Sequence, residues 1–361
     1  KILRPYAEVM KGYCNFEDGD ILFAKVYPCM QNGKHALVSG QPDGIGFGST
    51  EFHVVRPGPE VCGRWLLHFL RQQAVLDAAA ELFTGSVGLQ RVPDSFLRSL
   101  SLSLPPLREQ QDVAQALDRQ LPIAQAAADT IREAMGLATD LHAAFFRSAF
   151  GPEPPLAAGA TGSQALGKWR PLCTLARLES GHTPSRRHPE WWGGDIPWLA
   201  LPDIRKLHGL IAHDTIEHTN DLGLVNSSAR LLPVGTVCLC RDASIGFVTM
   251  LGRPMATSQH FCNWVCDPEK LDAEFLMYAF MASFDYLREL GSGSVLKTIY
   301  MPTIESFHIS APPLDEQVRI AGQLRHQLRE ARQLRTQLAE RQSLIERLPQ
   351  RILAGAFDAA D

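Results

Sequence analysis

The chain has no apolar run near the roughly 20 residues that a membrane-spanning helix requires, and no signal peptide is visible. Those absences point to a soluble cytoplasmic protein, in which the 8 cysteines are reduced thiols. It also lacks a surplus of positive charge. Its 35 Lys and Arg stand against 39 Asp and Glu, a formal charge of −4, so a nucleic-acid surface must be a local patch or be completed by a partner. No strand-to-helix glycine fingerprint for a dinucleotide occurs, nor any local set of nucleophile, base and orienter. The methyltransferase tetrapeptide Asn/Asp-Pro-Pro-Tyr/Phe is missing as well. No catalytic residue, metal or cofactor is assigned.

Two look-alikes reduce to structural readings. Gly162 to Lys168 has phosphate-loop spacing, but Trp169 stands where a magnesium-binding hydroxyl belongs and no strand precedes it. Cys238, Cys240, Cys262 and Cys266 could offer thiolates to zinc, yet the first pair lies on one face of an apolar strand, which favours buried thiols.

What is present is a long-range repeat. Pro105-Pro106-Leu107-Arg108-Glu109-Gln110 returns as Pro312-Pro313-Leu314-Asp315-Glu316-Gln317, and Ala149-Phe150 returns as Ala356-Phe357, both at an offset of 207. Each copy carries a seven-residue apolar repeat. The first runs Val113, Leu117, Gln120, Ala124, Ala127, Ile131, Ala134, Ala138, Leu141, Phe145. The second runs Ile320, Leu324, Gln327, Ala331, Leu334, Leu338, Arg341, Ile345, Leu348, Ile352. Two long helices packed along one seam are expected, with Pro122 kinking the first or marking a short leading helix.

Ahead of each helix lies a globular α+β segment. Glu17-Asp18-Gly19-Asp20-Ile21 is answered by Pro233-Val234-Gly235-Thr236-Val237, Glu51-Phe52 by His260-Phe261, and Gly85-Ser86-Val87 by Gly293-Ser294-Val295. Strands are expected at 21–24, 51–55 and 100–104, and an amphipathic helix from Trp65 to Leu82 with Trp65, Leu66, Phe69, Leu70, Leu76 and Leu82 inward. The boundaries are then 1–106 for the first globule, 107–150 for the first helix, and 151–168 for a flexible linker. The second globule follows at 169–312, and the second helix with its tail at 313–361. By the repeat, Lys1 falls near Glu217, so the first globule lacks a counterpart of about 50 residues, and the natural start is expected upstream.

Candidate contacts to nucleic acid are polar and recur in both halves. Thr183, Ser185, Arg186 and Arg187 crowd the loop before Trp191-Trp192-Gly193-Gly194; Arg and hydroxyl side chains bind phosphates, and Arg also reads guanine edges. Lys25 and Arg241 end equivalent strands, and Arg91 and Lys297 follow the two Gly-Ser loops.

These residues resemble the specificity subunit of type I restriction-modification systems. The marks are Gly181-His182-Thr183-Pro184-Ser185, Trp192-Gly193-Gly194-Asp195-Ile196-Pro197-Trp198-Leu199, Asp203-Ile204 and the twin Pro-Pro-Leu-x-Glu-Gln starts. The resemblance implies two target-recognition domains, each reading half of a split site in double-stranded DNA, held apart by an antiparallel coiled coil. It implies modification (methyltransferase) subunits and restriction (ATP-dependent translocase and nuclease) subunits as partners, and a chain that is not itself catalytic. The first domain departs from that pattern, lacking the Gly-x-Thr-Pro and Trp-Gly-Gly-Asp segments. Independently, a seam of 33 positions, Val113 to Phe145, spans about 50 Å, enough to set two readers a DNA turn or more apart. The competing expectation is a coiled-coil scaffold that binds no DNA.

Overall fold

A computed structural model describes residues 6–9, 12–86, 90–292 and 297–358. It divides into two compact units, residues 1–135 with 337–361, and residues 136–336. The architecture is α+β in both. Among the described residues, no helix is long and apolar enough to cross a membrane.

Unit 1 carries β1 (Cys14–Glu17), β2 (Ile21–Ala24), β3 (Ala36–Leu37), β4 (Ile45–Gly48) and β5 (Phe52–Val55). They form a β1-β4 pair and a β3-β2-β5 sheet. Gly19, at φ +94°, makes the turn into β2, a backbone conformation open to glycine. Asp20 locks that turn, its buried carboxylate accepting from Glu17 N at 2.7 Å and from the Arg56 fork at 2.8 Å. The expected helix from Trp65 to Leu82 is two helices, Gly63–Phe69 and Gln73–Glu81, and Leu82 is 48% exposed at the second one's end.

Unit 2 carries β6 (Leu156–Ala158), β7 (Ser163–Gln164), β8 (Gly167–Pro171), β9 (Ala176–Ser180), β10 (Trp192–Leu199), β11 (Ile211–Ala212), β12 (Glu217–Thr219), β13 (Val237–Cys240), β14 (Val248–Leu251), β15 (Ala256–Thr257), β16 (Phe261–Cys266) and β17 (Phe307–Ser310). The sheets are β11-β14-β13-β16-β9, β12-β10-β15 and β6-β17-β8-β7. The β14-β13-β16 centre matches β3-β2-β5 of unit 1, and Gly235 repeats the turn of Gly19 at φ +81°.

Two sequence expectations change here, and one holds. Residues 151–167 are not a free linker: β6 and β8 flank β17, Leu156 is fully buried, and the phosphate-loop look-alike is the β7–β8 hairpin. Residues 100–104 form no strand. Their counterpart β17 has a partner on each side, whereas the described residues of unit 1 offer none, and an unpaired strand leaves its backbone groups to water. The buried-thiol reading holds for Cys238, Cys240 and Cys262. Cys238 and Cys240 enter a core with Leu199 and Ile204, while Cys262 enters the one built on Trp264 and Phe275. Burial pushes Cys240 up to about 11 and Cys262 to about 12, so both are neutral thiols.

The first long helix, Leu107–Phe150, is 44 residues and continuous through Pro122. The second is interrupted instead at Arg347, between Leu314–Glu346 and Leu348–Asp358, where Pro349 follows. In unit 1 the start of the first helix shares the core with the end of the second, whose Phe357 ring lies 5.3 Å from Trp65 and 5.6 Å from Phe69. In unit 2 the end of the first shares the core with the start of the second, and Phe150 lies 5.4 Å from Phe275. Within each unit, then, the helices meet start to end, as an antiparallel pair does.

The buried stripe differs from the expected seam. Gln110, Ala114, Leu117, Ala124, Ala128 and Ala138 are buried, whereas Gln120 is exposed. Gln317, Ala321, Leu324, Leu328 and Ala331 repeat the pattern, with Leu334 at 41% exposure and Arg341 exposed. Three of the ten expected positions in each helix are buried, Leu117, Ala124 and Ala138 in the first and Ile320, Leu324 and Ala331 in the second. Ala114, Ala128, Ala321 and Leu328 are buried one residue on from expected positions. The cause is the glutamine that begins each stripe. Gln110 Oε1 accepts from Cys62 N at 2.8 Å, and its Nε2 donates to Glu60 O and Pro105 O. Gln317 Oε1 accepts from Asp272 N at 2.9 Å, and its Nε2 donates to Lys270 O and Pro312 O. Replacing either glutamine by Ala leaves buried backbone groups without partners. Each variant is expected to lose about 1–3 kcal/mol of unfolding free energy in denaturant titration, and a loss near zero would show that these anchors are dispensable.

His35 is stacked on Phe23, and its Nδ1 accepts from Ala24 N at 3.0 Å. Burial and the nearby Arg71 push the imidazole down to about 4 from its ordinary 6.5. A histidine held neutral in the fold takes up its proton on unfolding, so stability is full above about 6.5 and falls as pH drops toward about 4. The loss in unit 1 should approach roughly 3 kcal/mol. Melting curves across that range should show the slope in the parent chain and a flatter profile in His35→Gln.

Candidate nucleic-acid interface

One end of the unit 2 sheet gathers polar side chains from several loops. β13 ends at Cys240, and Arg241 N donates to His260 O at 2.9 Å while Arg241 O accepts from Ile299 N at 2.8 Å. Asp242 pairs with Thr298, and Thr298 with Ser292, so the loop after residue 291 is bridged to the same strand end. The loop after β9 joins through Thr183, whose hydroxyl donates to Gln259 Oε1, while Arg241 Nε donates to Gln259 O at 3.3 Å. His260 Nδ1 lies 2.6 Å from Asp242 Oδ1. The turn beyond, Asp242-Ala243-Ser244, holds Ala243 at φ 48°, a strained conformation for a residue with a Cβ.

Unit 1 builds the same frame. Lys25 N donates to Glu51 O at 3.1 Å, Lys25 O accepts from Val92 N at 2.9 Å, and Arg91 bridges to Val26 and Thr84. Lys25 and Arg241 are therefore equivalent in space as well as in sequence. Arg91 is equivalent to Thr298, so Lys297 stands one position earlier. Val87, Gly88 and Gly293 to Val295 lie outside the described residues.

The candidates divide by their partners. Thr183 and Arg241 are brought together, with exposed Lys297 next to Thr298 on the bridged loop. Ser185 and Arg187 are exposed on the loop after β9, where Ser185 Oγ accepts from Arg187 N at 3.3 Å. Arg186 is turned to structural work: it forks onto Glu217 at 2.6 and 2.8 Å and lies over the Trp192 ring at 3.8 Å. The Glu217 hydrogen bond pushes Arg186 up and holds Glu217 below the usual carboxylate range. In unit 1, Arg91 is forked on Glu51 at 2.7 and 2.8 Å, which likewise lowers Glu51. Asp242 and Glu217 were not singled out as site residues from sequence, Gln259 and His260 were placed by their repeat position, and Trp198 by the family resemblance. Only position in the fold marks them as site residues, since each is an ordinary polar or core residue taken alone.

A family model for the type I restriction modification DNA specificity domain matches residues 170–340. Residues 170–340 are thus a specificity domain of the type I restriction-modification family. Within it, this chain is similar to the EcoAI specificity subunit of Escherichia coli, 39% identical over 112 residues, covering 31% of this chain and 19% of that subunit. The chain thus spans about a fifth of the length of the EcoAI and EcoEI specificity subunits of E. coli. A putative MjaX specificity subunit of Methanocaldococcus jannaschii is 25% identical over 325 residues, covering 85% of this chain and 71% of that one. Among solved structures, the HsdS subunit from Thermoanaerobacter tengcongensis matches with a TM-score of 0.60 at 20% identity, over 95% of this chain and 81% of that chain. A chain from a study of complex assembly in the type I R-M system gives a TM-score of 0.67 at 21% identity, over 96% of this chain and 84% of that chain. These likenesses extend the specificity-subunit fold over both units.

In this specificity domain, Arg187 and Arg241 reach the surface on different loops, while Arg186 holds its loop to β10 and β12. Each of Arg187→Ala and Arg241→Ala should weaken DNA binding by the assembled complex. Each should also lower the slope of log affinity against log salt by about one, as loss of a phosphate contact does. Arg186→Ala should instead lower thermal stability, by about 1 kcal/mol. Equal salt slopes in all variants would remove the loop and strand-end cations from the interface.

Proposed function

We propose that this chain is the non-catalytic specificity subunit of a type I restriction-modification complex in the cytoplasm. It reads a split site in double-stranded DNA, and partner modification and restriction subunits methylate adenine and cleave. Residues 1–106 and 169–312 would be the two reading domains, on the long helices of 107–150 and 313–361 as spacers. The observation that carries this reading is the recurrence of one strand-end cluster in both units, with Lys25 and Arg241 at the same main-chain position. A scaffold would need neither cluster. Thr183, Ser185, Arg187, Arg241, Lys297 and Lys25 are the proposed contacts. Arg91 is proposed to contact DNA from its Glu51 pair, and Arg186 to hold its loop in place through Glu217.

Methylation with the modification subunits, followed by sequencing to locate modified adenines, tests this directly. A two-part motif with a fixed gap, lost when the chain is omitted, is the expected result. Methylation independent of this chain would favour the scaffold. Methylation set by one half-motif alone would show that unit 1 does not read.

A further inference from the structure

The proposed contacts leave one acid–base pair of unit 2 without a task. Asp242 is 7% exposed, and its Oδ1 sits 2.6 Å from His260 Nδ1. The histidine side chain is 27% exposed, and its Nε2 has no partner among the described residues. The Asp242 main chain is fixed three times over: its carbonyl accepts from Cys240 Sγ at 3.0 Å and from Ser244 N, and the residue pairs with Thr298. The ring is thus held at a set angle from a strained turn. The charged and titratable groups around it are Asp242 and Arg241 at the strand end, Lys297 beside Thr298, His182 beside Thr183, and Arg205, which donates to Ser244 Oγ at 3.4 Å.

A carboxylate at Nδ1 takes the N–H of that nitrogen, which decides what Nε2 can do. On the neutral ring Nε2 is an acceptor and repels phosphate; on the protonated ring it is a donor. Arg241 and Lys297 beside it make the neighbourhood one for an anion. Resting on the DNA-reading function above, we propose that His260 contacts the DNA backbone through Nε2–H and that Asp242 is its positioning residue. Unit 2 then grips DNA more tightly as pH falls. In unit 1 the position equivalent to His260 is Glu51, forked by Arg91.

The test is DNA affinity of the assembled complex between pH 6 and 8 at constant salt, for the parent chain, His260→Gln and Asp242→Asn. The parent should bind about tenfold more tightly at pH 6 than at pH 8, as one hydrogen bond to a charged group is worth. His260→Gln should be flat at the weaker level. Asp242→Asn, which keeps an acceptor for Nδ1–H but removes the carboxylate charge, should be weaker than the parent at pH 6. A His260→Asn variant covers the case in which the glutamine complex fails to assemble. If the variants bind with the parent's pH profile, this inference fails and the DNA-reading function stands. If the parent complex binds no DNA at any pH, both fail.

Discussion

A side-chain amide with no route to water must find all its partners in protein, and that requirement fixes the beginning of each long helix. Gln110 and Gln317 are 0% and 1% exposed, and each spans from its helix to the main chain ahead of the neighbouring short helix. The geometry tolerates little rotation, since turning the helix by one residue swings the amide through about 100°. Helix phase at each start follows from that, and with it the buried residues that begin each stripe. Phe150 and Phe357 lie 207 positions apart, as Gln110 and Gln317 do.

Further along each helix the same contact is made with opposite charge. In unit 1 the helix offers the carboxylate: Asp118 takes Arg64 Nε at 2.8 Å and His68 Nε2–H at 3.0 Å. Burial pushes His68 down, so the second contact is a hydrogen bond from a neutral ring. In unit 2 the helix offers the cation: Arg325 Nε donates to Glu274 at 2.8 and 2.9 Å, and Tyr278 donates to the same carboxylate. Arg64 corresponds to Glu274 and His68 to Tyr278 at an offset of 210, and Asp118 to Arg325 at 207. What is retained is a satisfied pair across the joint, whichever side supplies the charge.

That explains how much could be read from residues alone. The turns at Gly19 and Gly235, the strands that follow, the long helices and their equivalence are local or periodic features, and they stand. The seam was legible only in part, because apolarity weighs Val113 and Ala114 alike while Gln110 does not. Residues 100–104 alternate like a strand, but a strand exists only with a ladder partner. Residues 151–167 have a linker's composition, yet Leu156 finds a core and β17 supplies the ladder. At the interface, the pairing of Arg186 with Glu217 was not legible, because the two lie 31 positions apart, beyond any local motif.

The two strand-end clusters show how one frame can present different chemistry. What ties Lys25 to Val92, and Arg241 to Ile299, is main-chain hydrogen bonding, as is what ties Lys25 to Glu51 and Arg241 to His260. Such bonds hold the loops in place without specifying a side chain at any of these positions. Glu51 with Arg91 in one unit and His260 with Asp242 in the other are thus alternative occupants of one scaffold. A protein that must keep its spacing while its target changes needs this separation. The glutamine clamps and aromatic closures admit few replacements, and the loop tips, anchored through their backbones, admit many.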